Sequence, residues 1–286
     1  MKNILITGVS TGIGKTTAEY LLKSGYRVFG SIRKVEDAKN LIKDFSKNFI
    51  PLKFDITDEV AIIRSVEIVK KTLNGEYLDF LINNAGAVIG GPSILLETQD
   101  FRNQFEINLF SVVSITNAFI KLLGAELNNP HEGKIINISS VSGKRAFPFL
   151  APYAASKFAL EGYSDALRRE LQIYGIDVIL IEPGPVKTAI WNKVHEKDNN
   201  SFEGSDYDIM LKKFSKIIMK NEAEGINAEV VSKLIYKIIN SKYPRTRYLI
   251  TKNKFKNHLL IKIIPERWLD KLIGKKLGLL KKFNFL

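Results

Sequence analysis

A glycine-rich loop between a short apolar strand and a helix constrains the fold of this chain more than any other feature. Asn3–Thr7 is an apolar run typical of a buried strand, and Gly8–Gly14 follows it directly. A helical pattern then runs to Ser24-Gly25, and Tyr26–Ser31 is predicted as the second strand. Glycines in this position let the backbone approach a pyrophosphate closely, and the helix N-terminus favours the anion. The unit, roughly thirty residues long, therefore predicts a dinucleotide-binding fold.

Two other motifs share these residues. Gly8-x-Ser10-x-Gly12 matches the nucleophile elbow of a hydrolase, but it follows the first strand, so no earlier strand and loop could supply an oxyanion hole. Gly14-Lys15-Thr16 matches the end of a P-loop, but Val9 stands where the first glycine of that motif belongs. Both interpretations are therefore disfavoured.

Strand and helix patterns alternate along most of the chain. Further strands are predicted at 49–54, 78–82, 134–138, 177–181 and 248–250, and helices at 35–45, 101–127 and 228–239. This alternation predicts an α/β fold with a doubly wound parallel sheet, in which ligands bind beyond the carboxyl ends of the strands. The polar and glycine-rich groups at those ends should meet at one edge: Gly8–Gly14, Asp55, Asn83–Gly86, Ser139–Ser140 and Pro183–Gly184.

A tyrosine and a lysine stand four residues apart in the helical pattern that follows the fifth strand. The spacing of Tyr153 and Lys157 places a phenol and an ammonium on one helix face. The ammonium favours the phenolate, so we expect the pKa of Tyr153 to lie below its usual value of about 10. A phenol altered in this way can exchange a proton near neutral pH.

Together these pieces resemble the short-chain dehydrogenase/reductase family, in its single-domain branch. The matching motifs are Thr7-Gly8-x-x-x-Gly12-x-Gly14, Asp55, Asn83–Gly86, Asn108, Ser140, Tyr153-x-x-x-Lys157 and Pro183-Gly184. They occur in the family's order over residues 1 to about 190. The resemblance implies a Rossmann-type, three-layer α/β/α domain and a nicotinamide cofactor. The chain is similar in particular to hydroxysteroid and retinol dehydrogenases.

The resemblance also implies four catalytic residues. Tyr153 would protonate the carbonyl oxygen in reduction, or deprotonate the alcohol in oxidation, and Ser140 would hold that oxygen by a hydrogen bond. Lys157 would bind the nicotinamide ribose and lower the pKa of Tyr153. Asn108 would support a water-mediated proton path to Lys157. The neighbouring Ser139 is an alternative to Ser140, because it is also a serine at the strand end. Asn108 could instead be a buried polar residue that bends its helix.

Cofactor contacts are implied at every strand end. The pyrophosphate would contact Gly8, Ser10, Thr11, Gly12, Ile13 and Gly14; the adenine would contact Asp55 and Ile56; the adenosine side would contact Asn84, Ala85 and Gly86; and the nicotinamide end would contact Tyr153, Lys157, Pro183, Gly184, Val186 and Thr188. Alternatively, Asn83–Gly86 is only a turn, because Asn and Gly are common turn residues.

The end of the second strand decides between NAD and NADP. An acidic side chain there would bind the ribose 2′-hydroxyl and repel a 2′-phosphate. The chain has Ser31-Ile32-Arg33-Lys34 instead, with no carboxylate before Glu36. Since Arg33 could pair with a 2′-phosphate, we predict a preference for NADP(H), with NAD(H) as the alternative. Arg33 could otherwise be an exposed loop charge.

A polar stretch over residues 187–226 predicts a substrate-covering loop with a short helix. Its apolar residues are Trp191, Phe202, Tyr207, Ile209, Met210 and Phe214, and Phe147–Leu150 adds others just before Tyr153. These side chains either form a pocket wall for a bulky apolar alcohol or ketone, such as a steroid, retinoid or lipid, or belong to the core.

Composition limits the remaining choices. The 286 residues include no cysteine, which excludes disulfides and thiolate chemistry. The three histidines, His131, His195 and His258, match no ligand spacing, so no metal site is predicted. No signal-peptide pattern opens the chain and no apolar run is long enough to span a bilayer, so a cytoplasmic protein is expected.

Positive charge is concentrated in the C-terminal segment. Of the net charge of +13, +11 lies after residue 241. Residues 251–286 are predicted as a basic helical extension of a domain that spans 1–250. Within it, Trp268, Leu269, Leu272 and Ile273 form an apolar face, and Arg267, Lys271 and Lys275 form a basic row. The extension could close the substrate pocket, lie on an anionic membrane or pack on a second subunit. Nucleic-acid binding is not expected, because no reading motif accompanies the charge.

The leading hypothesis is an NADP(H)-dependent oxidoreductase that interconverts a secondary alcohol and a ketone or aldehyde, with Tyr153 as general acid and base. We expect a homodimer or homotetramer with optional peripheral membrane contact. The alternative is a catalytically idle dinucleotide-binding protein that senses redox state or acts as a membrane-associated scaffold.

Overall fold

A parallel sheet forms the centre of the computed structural model, which describes residues 1–188, 190, 202–252 and 264–280. Seven strands lie in the order β3-β2-β1-β4-β5-β6-β9. They are β1 (Asn3–Ile6), β2 (Arg27–Ile32), β3 (Phe49–Lys53), β4 (Phe80–Asn83), β5 (Lys134–Ile138), β6 (Asp177–Pro183) and β9 (Arg247–Ile250). A separate parallel pair consists of β7 (Val186–Lys187) and β8 (Ile226–Asn227).

Helices cover both faces of the sheet. They are α1 (Gly12–Lys23), α2 (Lys39–Asp44), α3 (Glu59–Leu73), α4 (Thr98–Leu123), α5 (Ala151–Glu170), α6 (Asp208–Ala223), α7 (Ala228–Ile239) and α8 (Glu266–Leu277). Successive side chains of a strand point to opposite faces. Ile4 and Ile6 accordingly join one buried cluster, with α1 and α7, while Leu5 joins the other, with α3 and α4. The predicted three-layer α/β/α architecture is confirmed.

The predicted elements agree with the structure except at some ends. Asp58 caps α3 by accepting a hydrogen bond from the Ala61 amide at 3.0 Å, and β5 has the predicted bounds. The short helix expected within 187–226 is wrong, because α6 extends over 16 residues. Its apolar side chains recur at helical spacing and pack inward, a signal that the polar residues around them obscure. Trp191 lies outside the described residues.

Helix α4 is, within the described part of the chain, the one helix long and apolar enough to cross a membrane by length and composition. Its Val112, Ile115 and Phe119 are buried. Ile115 and Phe119 belong to the same buried cluster as Leu5 and α3. These contacts are those of a core helix.

Helix α8 packs against α6 in a third buried cluster. Ile273 and Leu277 point into this cluster, whereas Trp268 and Leu272 are 70% and 58% exposed. The expectation of one apolar face that includes Trp268, Leu272 and Ile273 is therefore wrong. On a helix Ile273 lies about 100° from Leu272, so packing through Ile273 and Leu277 turns Trp268 and Leu272 outward.

Candidate active site

A cavity of about 760 Å³ opens at the carboxyl edge of the sheet. Its walls contain most of the residues predicted to bind a cofactor: Gly8, Ser10, Thr11, Gly12, Ile13, Arg33, Asp55, Ile56, Asn84, Ala85, Gly86, Pro183, Gly184, Val186 and Thr188. The predicted catalytic residues Ser140, Tyr153 and Lys157 line it as well. The structure therefore brings the strand ends together as the alternating pattern predicts.

The glycine loop is held in place from two sides. Gly8 and Gly12 have φ angles of +72° and +57°, in the left-handed region that favours glycine. The Gly8 amide donates to the Ser31 hydroxyl at 2.9 Å, and the Thr7 hydroxyl accepts from the amides of Asn84 and Ala85 at 2.9 and 3.0 Å. These hydrogen bonds fix the conformation of the loop. Sequence reasoning missed the roles of Thr7 and Ser31.

Gly14 and the Asn84 side chain, both predicted to contact the cofactor, instead hold the glycine loop. Gly14 lies behind the loop and does not line the cavity, and a Cβ there would overlap the carbonyl oxygen of Gly8. The Asn84 side-chain amide donates to the carbonyls of Thr7 and Gly8 at 2.9 and 3.1 Å, so both of its N–H groups are used to hold the loop. Gly14 permits close packing of loop on helix, and the Asn84 amide braces the loop.

The cavity fits a nicotinamide dinucleotide in shape and donor chemistry. Gly8 and Gly12 of the loop at the start of α1 line the cavity, where the absence of a Cβ lets a pyrophosphate approach the backbone closely. Thr188 comes close to Gly12 from the opposite wall, since a Cβ on Gly12 would lie 3.3 Å from its methyl group. Asp55 accepts two hydrogen bonds from Thr57, which fixes its carboxylate at the cavity rim. Arg33 is exposed at the same rim.

Ser140 and Tyr153 are hydrogen-bonded to each other at the cavity wall. The Ser140 hydroxyl also accepts from the Ser142 amide at 3.0 Å and caps a short 3₁₀ turn. Burial raises the pKa of Tyr153, and the hydrogen bond from Ser140 opposes this effect. The prediction of a lowered pKa is therefore wrong for the cofactor-free protein, because desolvation of the phenolate outweighs its stabilisation.

Lys157 is buried beside this pair. Its ammonium donates to the Ile138 carbonyl at 2.8 Å and lies 6.0 Å from the centre of the Tyr153 ring. Burial lowers the pKa of Lys157 to about 8, while the nearby Glu161 carboxylate opposes the shift. The ammonium is therefore easier to deprotonate than an exposed lysine.

Asn108 lies behind the cavity wall, in a π-helical segment of α4. Its side chain exchanges two hydrogen bonds of 3.0 Å with the Ala87 backbone and donates to the Ser156 hydroxyl at 3.1 Å. A Cβ on Gly86 would lie 3.2 Å from the Asn108 oxygen and 3.9 Å from the Lys157 ammonium, so both groups lie near Gly86. Asn108 thus braces the turn that separates it from Lys157.

A charged network extends from Lys157 along α5. The buried Glu161 carboxylate pairs with Lys144 at 2.8 Å and with Arg247 at 3.1 Å, and Arg247 reaches Asp165 at 2.7 Å. Sequence reasoning missed this network. Its one local signal is that Glu161 stands four residues after Lys157 on the same helix.

Apolar side chains form the wall above Tyr153. The buried residues of the third cluster are Val88, Phe149, Leu150, Tyr153, Phe202, Leu211, Phe214 and Leu277, with Tyr207, Met210 and Ile273 partly buried against them. Of the residues predicted to form either a pocket wall or the core, Phe214 lines the cavity, whereas Phe202, Tyr207 and Met210 pack in the core cluster behind it. Ile209 is 67% exposed and belongs to neither. Ile209 lies about 200° around the α6 helix from the buried Leu211, so it points outward.

Phe149 has an unusual backbone conformation for a bulky residue. Its φ angle is +66°, and such strain persists where the surroundings enforce it. Its ring packs edge-to-face against Tyr207 and Phe214, with centroids 6.0 and 5.4 Å apart, and its carbonyl accepts from the Gly91 amide at 2.8 Å. These contacts fix the loop that enters α5 just before Tyr153.

The doubly wound sheet, the glycine loop and the Ser140–Tyr153–Lys157 group define a nicotinamide-dependent oxidoreductase. The chain belongs to the short chain dehydrogenase family, whose model matches residues 2–199. Membership of an enzyme family and the hydrogen-bonded Ser140–Tyr153 pair count against the catalytically idle alternative.

Similar proteins extend the likeness over nearly the whole chain. It is 39% identical over 277 residues to the NADPH-dependent 3-dehydrocapnine reductase of Ornithobacterium rhinotracheale, covering 97% of this chain and 98% of that protein. It is 34% identical over 244 residues to a 3-ketodihydrosphingosine reductase of Bacteroides thetaiotaomicron, covering 85% and 86%. A short chain dehydrogenase of Burkholderia cenocepacia, solved with NADP, matches with a TM-score of 0.71 at 20% identity, over 96% and 99% of the chains, and supports the fold.

Proposed function

We propose that this protein is an NADPH-dependent reductase of a lipid-like ketone. The observation that carries the proposal is the position of the Tyr153 hydroxyl, which meets Ser140 at the floor of a cavity with largely apolar upper walls. An apolar chain can be desolvated there while its carbonyl oxygen reaches two hydroxyl groups.

The side chains present suit proton transfer to a carbonyl. Bound NADPH would supply a hydride to the carbonyl carbon. The Tyr153 hydroxyl donates its proton to the carbonyl oxygen, and the Ser140 hydroxyl holds that oxygen in reach. Lys157, fixed by the Ile138 carbonyl, places a positive charge beside the phenol and the ribose site. Asn108 keeps the adjoining turn in position.

The names of two similar proteins support reduction as the direction of the reaction and a long-chain ketone as the substrate. One is named as a reductase of 3-dehydrocapnine and the other as a reductase of 3-ketodihydrosphingosine, so both names describe reduction of an oxidised compound. Together with the apolar walls, these names favour reduction of a long-chain ketone over oxidation of a steroid or retinoid alcohol. The steroid- and retinoid-like alternatives are the comparison substrates for the test.

The test is NADPH oxidation with a long-chain 3-ketone, a steroid ketone and a retinal, followed at the nicotinamide absorbance. We expect turnover of the long-chain ketone. In Tyr153→Phe the rate should fall by about 10²- to 10⁴-fold while NADPH affinity is largely retained, because the variant removes the proton donor but keeps the aromatic ring at the cofactor site. Equal activity of Tyr153→Phe and wild type would exclude the proposed chemistry.

NADP(H) is the cofactor favoured by Arg33. The guanidinium is exposed at the cavity rim, where it can pair with a 2′-phosphate. We expect Arg33→Ala to raise the KM for NADPH by about 10-fold or more and to leave the KM for NADH nearly unchanged. Lys34→Ala is the matched control, since Lys34 is equally exposed but does not line the cavity. An unchanged cofactor preference in Arg33→Ala would refute the role.

Helix α8 supports contact with an anionic membrane surface. Trp268 and Leu272 are exposed one turn apart, and the exposed Lys271 and Lys275 flank them. Aromatic and apolar side chains among cations are typical of helices that lie on anionic bilayers. The inner side of the same helix forms part of the cavity wall, so a substrate held in a membrane would lie close to the site. The protein would then be a cytoplasmic enzyme that binds membranes peripherally.

Vesicle flotation tests this contact. We expect wild type to bind phosphatidylglycerol vesicles more strongly than phosphatidylcholine vesicles, and Trp268→Ser/Leu272→Ser to lose that binding. Ile94→Ser, at an exposed site on another part of the surface, is the control. Unchanged flotation of the double variant would exclude α8 as the membrane surface.

Association of subunits would use another face. Phe110 on α4 and Phe158 on α5 are 50% and 46% exposed, and large exposed aromatic side chains are typical of interfaces. A homodimer or homotetramer through these helices predicts that Phe110→Ser/Phe158→Ser reduces the mass seen by light scattering. An unchanged mass would exclude this face.

A further inference from the structure

The cavity carries two cationic side chains in a largely apolar part of its wall. Arg145 follows the turn that bears Ser140, and Lys276 lies on α8, and both line the cavity. The apolar residues around them are Val88, Phe147, Pro148, Leu150, Phe214, Ile217, Ile218, Ile273 and Leu277. Arg145 is half-buried, and a wall built only to hold a neutral chain does not require a cation there, since burying a charge costs free energy. Lys276 is exposed where it lines the cavity.

Arg145 is fixed and partly desolvated. Its amide donates to the Val141 carbonyl at 3.2 Å, which ties it to the Ser140 turn. Its guanidinium lies 5.3 Å from the centre of the Phe147 ring, and burial lowers its pKa. A guanidinium stacked on an aromatic ring presents its N–H groups in a defined plane, as recognition of an oxyanion requires.

Lys276 approaches the cavity from the opposite side. It precedes Leu277, which packs in the same apolar cluster as Tyr153. The packing of Leu277 therefore sets where Lys276 enters the cavity wall. Among the described residues that line the cavity, Asp55 is the carboxylate, and it follows β3, beside Ile56 and across the glycine loop from these two cations.

We propose that Arg145 and Lys276 form a subsite for an anionic group of the substrate. The substrate is then an amphiphile, with a ketone near an oxyanion such as a sulfonate, phosphate or carboxylate and an apolar chain against α6 and α8. The inference rests on the proposed ketone reduction and specifies its substrate further.

A matched pair of ketones tests the subsite. One is a long-chain 2-oxoalkyl sulfonate, which stays ionised over the whole working pH range, and the other is the neutral methyl sulfone of the same chain. For wild type we expect kcat/KM for the sulfonate to exceed that for the sulfone by about 10- to 100-fold, as charge-assisted hydrogen bonds imply. Arg145→Gln should lose most of that ratio while still reducing the sulfone, and Arg145→Lys should restore part of it.

Further variants separate the subsite from general effects. Lys276→Gln should lower the ratio by a few fold, about the value of one partly exposed charge pair. Lys216→Gln on α6 should leave it unchanged, because Lys216 is exposed and does not line the cavity. Equal kcat/KM for the two ketones in wild type, or an equal loss of both in Arg145→Gln, would overturn the proposal.

Binding gives a readout that does not depend on turnover. Calorimetry of the sulfonate with the NADP⁺ complex should show an affinity that falls in Arg145→Gln and in added salt. Reduction of the sulfone without sulfonate preference would refute the subsite and leave the reductase intact. Arg145-dependent binding without reduction of either ketone would refute the reductase and leave the subsite intact. If the sulfonate does not bind, or binds equally to wild type and Arg145→Gln, the proposed subsite is refuted.

Discussion

The Lys157 ammonium donates a hydrogen bond of 2.8 Å to the Ile138 carbonyl, which joins helix α5 to the end of β5. Ile138 stands two residues before Ser140. The strand end that presents Ser140 therefore also sets the position of Lys157. This backbone contact helps to fix the predicted catalytic group of Ser140, Tyr153 and Lys157.

The cofactor-free protein should gain stability as the pH rises, because of Lys157. Its folded pKa of about 8 lies below its ordinary value of 10.5, so between these values the unfolded chain binds more protons. The gain from this group is at most about 3 kcal/mol between pH 7 and pH 10.5. Urea unfolding at several pH values measures the free energy of unfolding of wild type and Lys157→Met. The increase with pH should be absent from the variant. Parallel stability profiles would show that Lys157 has an ordinary pKa.

Glu161 should keep Lys157 charged. Its buried carboxylate raises the pKa of Lys157 against the effect of burial. In Glu161→Gln the pKa of Lys157 should therefore fall further below 8, and the pH above which NADPH affinity declines should fall with it. Fluorescence titration of NADPH across pH measures the shift. Asp165→Asn is the control, because Asp165 also pairs with Arg247 but lies further along α5 from Lys157. Equal shifts in both variants would indicate a general effect of the network.

The two adjacent serines should differ in function. Ser140 is hydrogen-bonded to Tyr153, whereas the buried Ser139 hydroxyl has no hydrogen-bond partner in the described part of the chain. Ser140→Ala should lower kcat/KM by about 10²- to 10³-fold, as loss of one oxyanion donor does, and should raise the pKa of Tyr153. Ser139→Ala should keep activity and be neutral or stabilising, since it removes an unpaired buried hydroxyl. A greater activity loss in Ser139→Ala would reverse the assignment.

Two glycines should respond oppositely to alanine. A Cβ at Gly14 would overlap the Gly8 carbonyl, so Gly14→Ala should destabilise the protein by about 2 kcal/mol or more and weaken NADPH binding. Gly162 on α5 has open space around a Cβ, so Gly162→Ala should stabilise by about 0.5–1 kcal/mol through helix propensity. Thermal unfolding of both variants checks the signs. A stable Gly14→Ala variant with normal NADPH affinity would show that the loop can shift.

Order and alternation along the chain were enough to predict the sheet and the edge where the site lies. Asp55, Asn83 and Ser140 stand at or just after the carboxyl ends of parallel strands, and the pairing of these strands brings their ends together. The pKa of Tyr153 was mispredicted because spacing places a charge nearby but does not measure desolvation. The network around Glu161 was missed because Arg247 is 86 residues away and reaches it only in the fold.

Other differences come from the orientation of helices. The apolar residues of α8 allow two packings, and the contact of Leu277 with α6 selects one of them. Trp268 consequently points outward, which no pattern within the helix itself determines. Gly14 was assigned to the cofactor because its motif is continuous, yet its backbone faces the loop and not the cavity.

The strained conformation of Phe149 limits how this enzyme could acquire new specificities. The Phe149 ring packs against Tyr207 and Phe214, and Phe214 lines the cavity, where a search for altered substrate range would introduce changes. Because Phe149 lies just before the start of α5, a smaller side chain at Phe214 would also disturb the position of Tyr153, the proposed proton donor. Directed evolution should therefore retain an aromatic neighbour of Phe149 and find its tolerated changes at Ile217 and Ile218 instead.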